Sequence, residues 1–161
     1  MTDSGAGAAP VGDRTEPGPD VVVRHEVGSS AARAIVAGIV AKAVASGCAV
    51  SVAVVDSAGT LVAFERMDGA LRFSADLAVA KARTSAQFGR TTAFMEGLMD
   101  ERLAFAQSFT NHGGWYLGRG GHPLLRAGHP VGGIGVSGDA ADYEDELARE
   151  ASEAFCPHTD G

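Results

Sequence analysis

From Val21 onward apolar residues recur at spacings that assign structure to most of the chain, whereas the first 20 positions, MTDSGAGAAPVGDRTEPGPD, hold almost no large apolar residue. A segment of that composition cannot offset the entropy of ordering it. Residues 1–20 are therefore expected to form a flexible tail and 157–161 a short C-terminal one, with a single domain over 21–156. Ala32, Ile35, Val36, Ile39, Val40, Ala43 and Val44 follow three-four spacing, which predicts a core-facing helix capped by Ser29 or Ser30 and stopped at Gly47. Two β-rich runs then flank Asp56-Ser57-Ala58-Gly59, and those turn formers predict an antiparallel hairpin. A second helix is expected over Ser74 to Phe88, where Ala75, Ala78, Ala82 and Ala86 give one face smooth enough for close packing, and a third over Thr92 to Phe109. The glycines that follow break helix, and WYL, PLLR and PVGGIGV read as short strands. A last helix, capped by Asp139, is expected to pack Tyr143, Leu147, Ala151 and Phe155 inward. Helix, hairpin, two helices, strands and helix in this order predict an α+β domain: an antiparallel sheet flanked by helices.

At 161 residues the chain can bury one substantial core but hardly two. The net charge of -7 gives neither nucleic acid nor an anionic membrane the positive field it needs. No apolar run approaches the roughly 20 residues needed to span a bilayer, and the N-terminal stretch lacks the features of a signal peptide, so a cytoplasmic location is expected. Cys48 and Cys156 fit no metal or redox spacing and read as ordinary thiols.

Several motifs admit both chemistry and plain structure. Gly133, Gly135 and Gly138 match G-x-G-x-x-G, but the helix that follows opens on Asp139, Asp142, Glu144, Asp145 and Glu146, which would repel a pyrophosphate; turn and strand glycines are the better reading. Asp142, Asp145 and Glu146 could meet a hard cation, although acidic residues in a first turn are also what the helix dipole favours. Ser137 lacks the glycine frame of a nucleophile elbow. His112, His122 and His129 lie in a Gly-rich stretch beside Trp115 and Tyr116, where an aromatic-walled pocket with a histidine at its edge is expected, His122 being the first choice as acid, base or ligand. Lys81 shares a helix side with Leu77, Thr84, Ser85 and Phe88, an unusual place for an ammonium unless its stem snorkels or its head meets an anion. Arg66 and Asp68 flank the hairpin exit, as a turn pair or as groups that orient a ligand.

Four blocks, AVSVAVVDSAGTLVAFERMDGA, LAVAKARTSAQF, GGHPLLRAGHPVGGIGVSG and YEDELARE, resemble in order the successive blocks of the GlcG/HbpS-like family, which includes the C-terminal domain of PduO proteins. The resemblance covers about Val21 to Phe155. It implies a profilin-like α+β fold and a homo-oligomer, from dimer to octamer. It also implies pocket or interface positions at Asp56, Arg66-Met67-Asp68, Lys81 of the KA-x-T helix, the Gly120-Gly121-His122-Pro123 turn and Asp145-Glu146. Where the family has an aliphatic residue in GG-x-P, this chain has His122.

Two functional readings follow. In the first, the family pocket binds a small molecule, haem or a related tetrapyrrole, with His122 or His112 as an axial ligand, Arg66 or Lys81 pairing the propionates, and Trp115 and Tyr116 as walls. In the second, the same pocket belongs to a cofactor-free isomerase, cyclase or lyase, in which Lys81 and His122 move protons and Asp68 or Arg66 orients a small organic substrate.

Overall fold

The computed structural model describes residues 22–156, so both expected tails lie outside the described residues. In chain order the elements are α1 (Ser29–Ala45), β1 (Ser51–Asp56), β2 (Leu61–Arg66), α2 (Ser74–Phe88), α3 (Thr92–Glu101), α4 (Leu103–His112), β3 (Gly121–Arg126), β4 (His129–Ser137) and α5 (Ala141–Phe155). The strands form one sheet in the order β2-β1-β4-β3, and every neighbouring pair is antiparallel. The chain is thus an α+β domain, as its patterning predicts.

Side-chain alternation on β1 and β4 separates two cores. On one face Val50, Val52, Val54, Leu124, Ile134 and Val136 pack against Ala32, Val36, Ile39 and Ala43 of α1 and Leu147 and Ala148 of α5. On the other, Ala53 and Val55 meet Ala78, Ala82 and Ala86 of α2. That second contact is very close. A Cβ on Gly135 would stand 1.9 Å from the Ala78 carbonyl oxygen, and one on Gly133 would stand 2.4 Å from that of Ala82. The alternate glycines of the G-x-G motif are therefore the seat of a helix whose facing side chains are alanines.

The hairpin follows its sequence. Asp56 Oδ1 accepts from the backbone N–H of Ala58 (3.0 Å) and Thr60 (2.8 Å), and Gly59 takes the positive φ of 87° that the reversal requires. Several local expectations are corrected. The helix read as continuous from Thr92 to Phe109 breaks at Arg102, whose φ/ψ of −143/55 is not helical, and α4 continues to His112. Trp115, Tyr116 and Leu117 form no strand; the Tyr116 N–H donates to Thr84 Oγ1 (2.8 Å) instead of to a ladder. Neither Ser29 nor Ser30 caps α1, whose N-cap is Gly28. Val44 stays exposed on α1. Asp139 does not cap α5 from the N-cap position, which belongs to Ala140; the Glu144 carboxylate, one turn into the helix, takes the free N–H groups of Gly138 and Asp139.

Candidate functional site

The glycine-seated helix carries Lys81 to the end of the sheet where β4 runs into α5. Lys81 is only 3 % exposed. Its Nζ donates to the Val136 carbonyl (3.0 Å) and to Glu144 Oε2 (2.5 Å), while Glu144 Oε1 accepts from Gly138 N (2.7 Å) and Asp139 N (3.1 Å). One carboxylate thus neutralises a buried ammonium and ties the β4–α5 turn. Either charge alone in this setting would cost several kcal/mol, so the two groups hold each other in place. The Gly120-Gly121 pair closes over them: a Cβ on Gly120 would fall 3.2 Å from Lys81 Nζ, and one on Gly121 would fall 2.7 Å from the Lys81 carbonyl oxygen. The Tyr116 ring lies 5.7 Å from the ammonium.

Above this pair opens a cleft of about 280 Å³. Leu71, Phe73, Leu77 and Tyr116 give it apolar and aromatic walls, and Glu96, Arg119 and Asp139 stand at its rim. Arg119 spans the mouth, donating from Nε to Glu96 Oε2 (3.0 Å) on α3 and from Nη1 to Asp142 Oδ1 (2.5 Å) on α5. Hydrogen bonding to Glu96 and the charge of Asp142 raise the Arg119 guanidinium above its ordinary value.

The candidate residues fall into four places. Lys81 and Tyr116 share the cleft. His122 points to the opposite face of the sheet from Gly121; it is 8 % exposed, and its Nε2 lies 3.1 Å from Asp145 Oδ1, which also accepts from Gly120 N (3.1 Å). Burial pushes the Asp145 carboxyl up, but the hydrogen bond and charge of His122, the Gly120 N–H and Arg119 together bring it below the usual carboxylate range. His112, exposed at the end of α4, stacks on Trp115 at 5.6 Å, and Trp115 meets Phe88 and Phe109 edge-on at 5.2 and 5.8 Å. Arg66 and Asp68 are exposed at the exit of β2; Arg66 pairs with Ser51, which pairs with Ser137, so they share the cleft's end of the sheet without lining it. His129 joins His25, Arg24 and Arg126 around a larger depression of about 1100 Å³ at the far end.

Glu144 as the partner of Lys81, Arg119 as the mouth tether, and Leu71 and Phe73 as walls were not legible in the sequence. The one signal was Lys81 itself, since an ammonium on an apolar helix face calls for a buried anion; nothing local says that the anion stands 63 residues away. Among the described residues no three His, Cys, Asp or Glu side chains converge as a metal site, and no helix is long and apolar enough to cross a membrane.

The family model described as haem degrading protein HbpS-like matches residues 27–153. A solved structure of a double mutant of HbpS from Streptomyces reticuli is 33% identical, covers 94% of this chain and 99% of that one, and superposes with a TM-score of 0.79. The PduOC:haem complex is 25% identical, with 80% of this chain and 94% of that one covered and a TM-score of 0.73. A 15.0 kDa protein from the dhaT-dhaS intergenic region of Citrobacter freundii, described as uncharacterized, is 28% identical over 127 residues, 78% of this chain and 89% of its own length.

Proposed function

The chain belongs to the haem-degrading HbpS-like family, and from that premise we propose that it binds haem or a related tetrapyrrole, one edge of which enters the cleft above Lys81 and Glu144. The cleft carries this reading. Leu71, Phe73 and Tyr116 are 51, 59 and 37 % exposed around one concavity, and clustered exposed apolar side chains mark surfaces that something covers. The cleft's volume of about 280 Å³ lies just below the range of ligand pockets, roughly 300–1,000 Å³, so it takes a small molecule whole or a broad planar one by its edge. The haem-bound PduOC relative supports the second choice. Tyr116 is the lining residue with an oxygen donor of a type found on haem iron. Bound haem would supply a redox-active iron; the chain's own part is to shield one edge of the macrocycle from water and hold it against Tyr116.

Haemin titration followed by Soret absorption tests the reading. Saturation is expected at one haem per chain, with Phe73→Ser and Tyr116→Ala each weakening binding at least tenfold, about 1.4 kcal/mol. An unchanged haemin spectrum contradicts it, and loss with His122→Ala in place of the cleft variants moves the ligand to the other face of the sheet. One observation favours a second reading, a cofactor-free enzyme on a small organic substrate: a buried, charged Lys81 lines the cleft. In that case haemin binds poorly, and turnover falls with Lys81→Gln.

We also infer a homo-oligomer in the cytoplasm. Phe94, Met99, Leu103 and Phe105 leave large apolar surface exposed on α3 and α4 for a second copy to cover, and light scattering that shows only monomer at micromolar concentration overturns this.

A further inference from the structure

Every charged side chain lining the cleft already has a partner inside the protein. Lys81 is held by Glu144 and Val136, Arg119 by Glu96 and Asp142, and the Asp139 carboxylate accepts from Ala140 N at 2.7 Å. Recruiting Lys81 to a ligand's acid group would leave Glu144 charged and buried, a loss that one new ion pair does not offset. Arg119 keeps N–H groups beyond the two it donates, but its single positive charge is already shared by two carboxylates, so a third meets no uncompensated cation. The lining also holds Glu96, Asp139 and Glu144 against two cations, so an incoming carboxylate meets a net negative rim. The lining left outside these ion pairs is mainly apolar, Leu71, Phe73, Leu77 and the Tyr116 ring, with only the neutral hydroxyls of Tyr116 and Ser137 beside it.

We propose that the cleft selects the apolar edge of its ligand and turns away the acid-bearing edge, so that a bound tetrapyrrole inserts its vinyl and methyl groups and keeps its propionates in solvent. This assignment rests on the tetrapyrrole reading above and adds to it a direction. A carboxylate placed in the cleft would lose hydration and meet a net negative lining with no unpaired cation to offset it, whereas vinyl and methyl groups lose nothing by leaving water.

Three porphyrins separate the edges: haemin; its dimethyl ester, in which the acid edge is neutral and the apolar edge unchanged; and haematohaemin, in which hydroxyethyl groups replace the vinyls. The ester is expected to bind within about threefold of haemin or more tightly, and haematohaemin at least tenfold more weakly, a loss of about 1.4 kcal/mol. Phe73→Ser should narrow the gap between haemin and haematohaemin, because it removes the apolar wall that distinguishes them. An ester tenfold weaker than haemin, or a haematohaemin equal to it, overturns the edge assignment while leaving haem binding intact. If haemin itself fails to bind, the tetrapyrrole reading and the edge assignment fall together, and that outcome is distinct from either of the others.

Discussion

Lys81 and Glu144 show how one pair of side chains settles several local questions. Both side chains are nearly buried, 4 and 6 % exposed, and each satisfies a charge the other could not bear alone. Lys81→Met should therefore destabilise the domain by about 3–5 kcal/mol, because it strands a buried carboxylate. Adding Glu144→Gln removes that charge while keeping an acceptor for Gly138 and Asp139, so the double variant should recover a large part of the loss in urea unfolding. Strictly additive losses would mean that the pair is not coupled. His122 and Asp145 form a lesser version on the other face. Since the folded Asp145 carboxyl lies below its unfolded value of about 3.9, its contribution is present above about pH 4 and is lost as pH falls through the folded value. Carbon-13 NMR should find Asp145 titrating below the ordinary aspartate range, and His122→Ala should move it up; an unmoved carboxyl would show that the histidine does not hold it.

At the scale of elements, the docking of α2 on β4 positions the site. Gly135→Ala would drive a methyl into the Ala78 carbonyl, so α2 must lift or β4 must bend. A loss of several kcal/mol is expected, on the scale of a severe core clash. Gly97→Ala on α3 meets open space within 4 Å and should gain up to about 1 kcal/mol from helix propensity. Thermal melts of the two variants should move in opposite directions, and equal small shifts would show that α2 is not seated on the glycines. This docking was partly legible in the sequence. Ala78, Ala82 and Ala86 announce a smooth helix face, and alternating glycines on a strand announce a close approach. That the two surfaces meet is a long-range pairing which neither pattern states. The same limit explains the break at Arg102, where apolar spacing runs on through Ala106 and Phe109 although the backbone turns. It explains α5 as well: Asp139 has the chemistry of a cap, but its carboxylate accepts only from Ala140 N, while Glu144, fixed by Lys81, takes the Gly138 and Asp139 N–H groups ahead of the helix.

Across the whole molecule, the order of elements was readable because each amphipathic segment carries its own period, and the sheet follows from which segments can hide their apolar faces together. The site was less readable. It is assembled from the loop before α2, the middle of α2, the irregular stretch at Tyr116 and the β4–α5 turn, and no single stretch of sequence holds more than a part of it. Histidine and tryptophan are the conspicuous residue types in the sequence, but His112 and Trp115 brace each other at the end of α4, and Tyr116 shares the cleft's walls with Leu71, Phe73 and Leu77. Besides the cleft, the far-end depression beside Arg24 and Arg126 and the groove between α1 and α5 are hollows a ligand could enter. Amide NMR with stoichiometric haemin, whose paramagnetic iron broadens nearby signals, distinguishes them directly. The account predicts broadening confined to Leu71–Leu77, Tyr116–Arg119 and Ser137–Ala141. Broadening centred instead on Arg24–Glu26 and Arg126–His129, on the α1–α5 groove, or on His112 and Trp115 would contradict it.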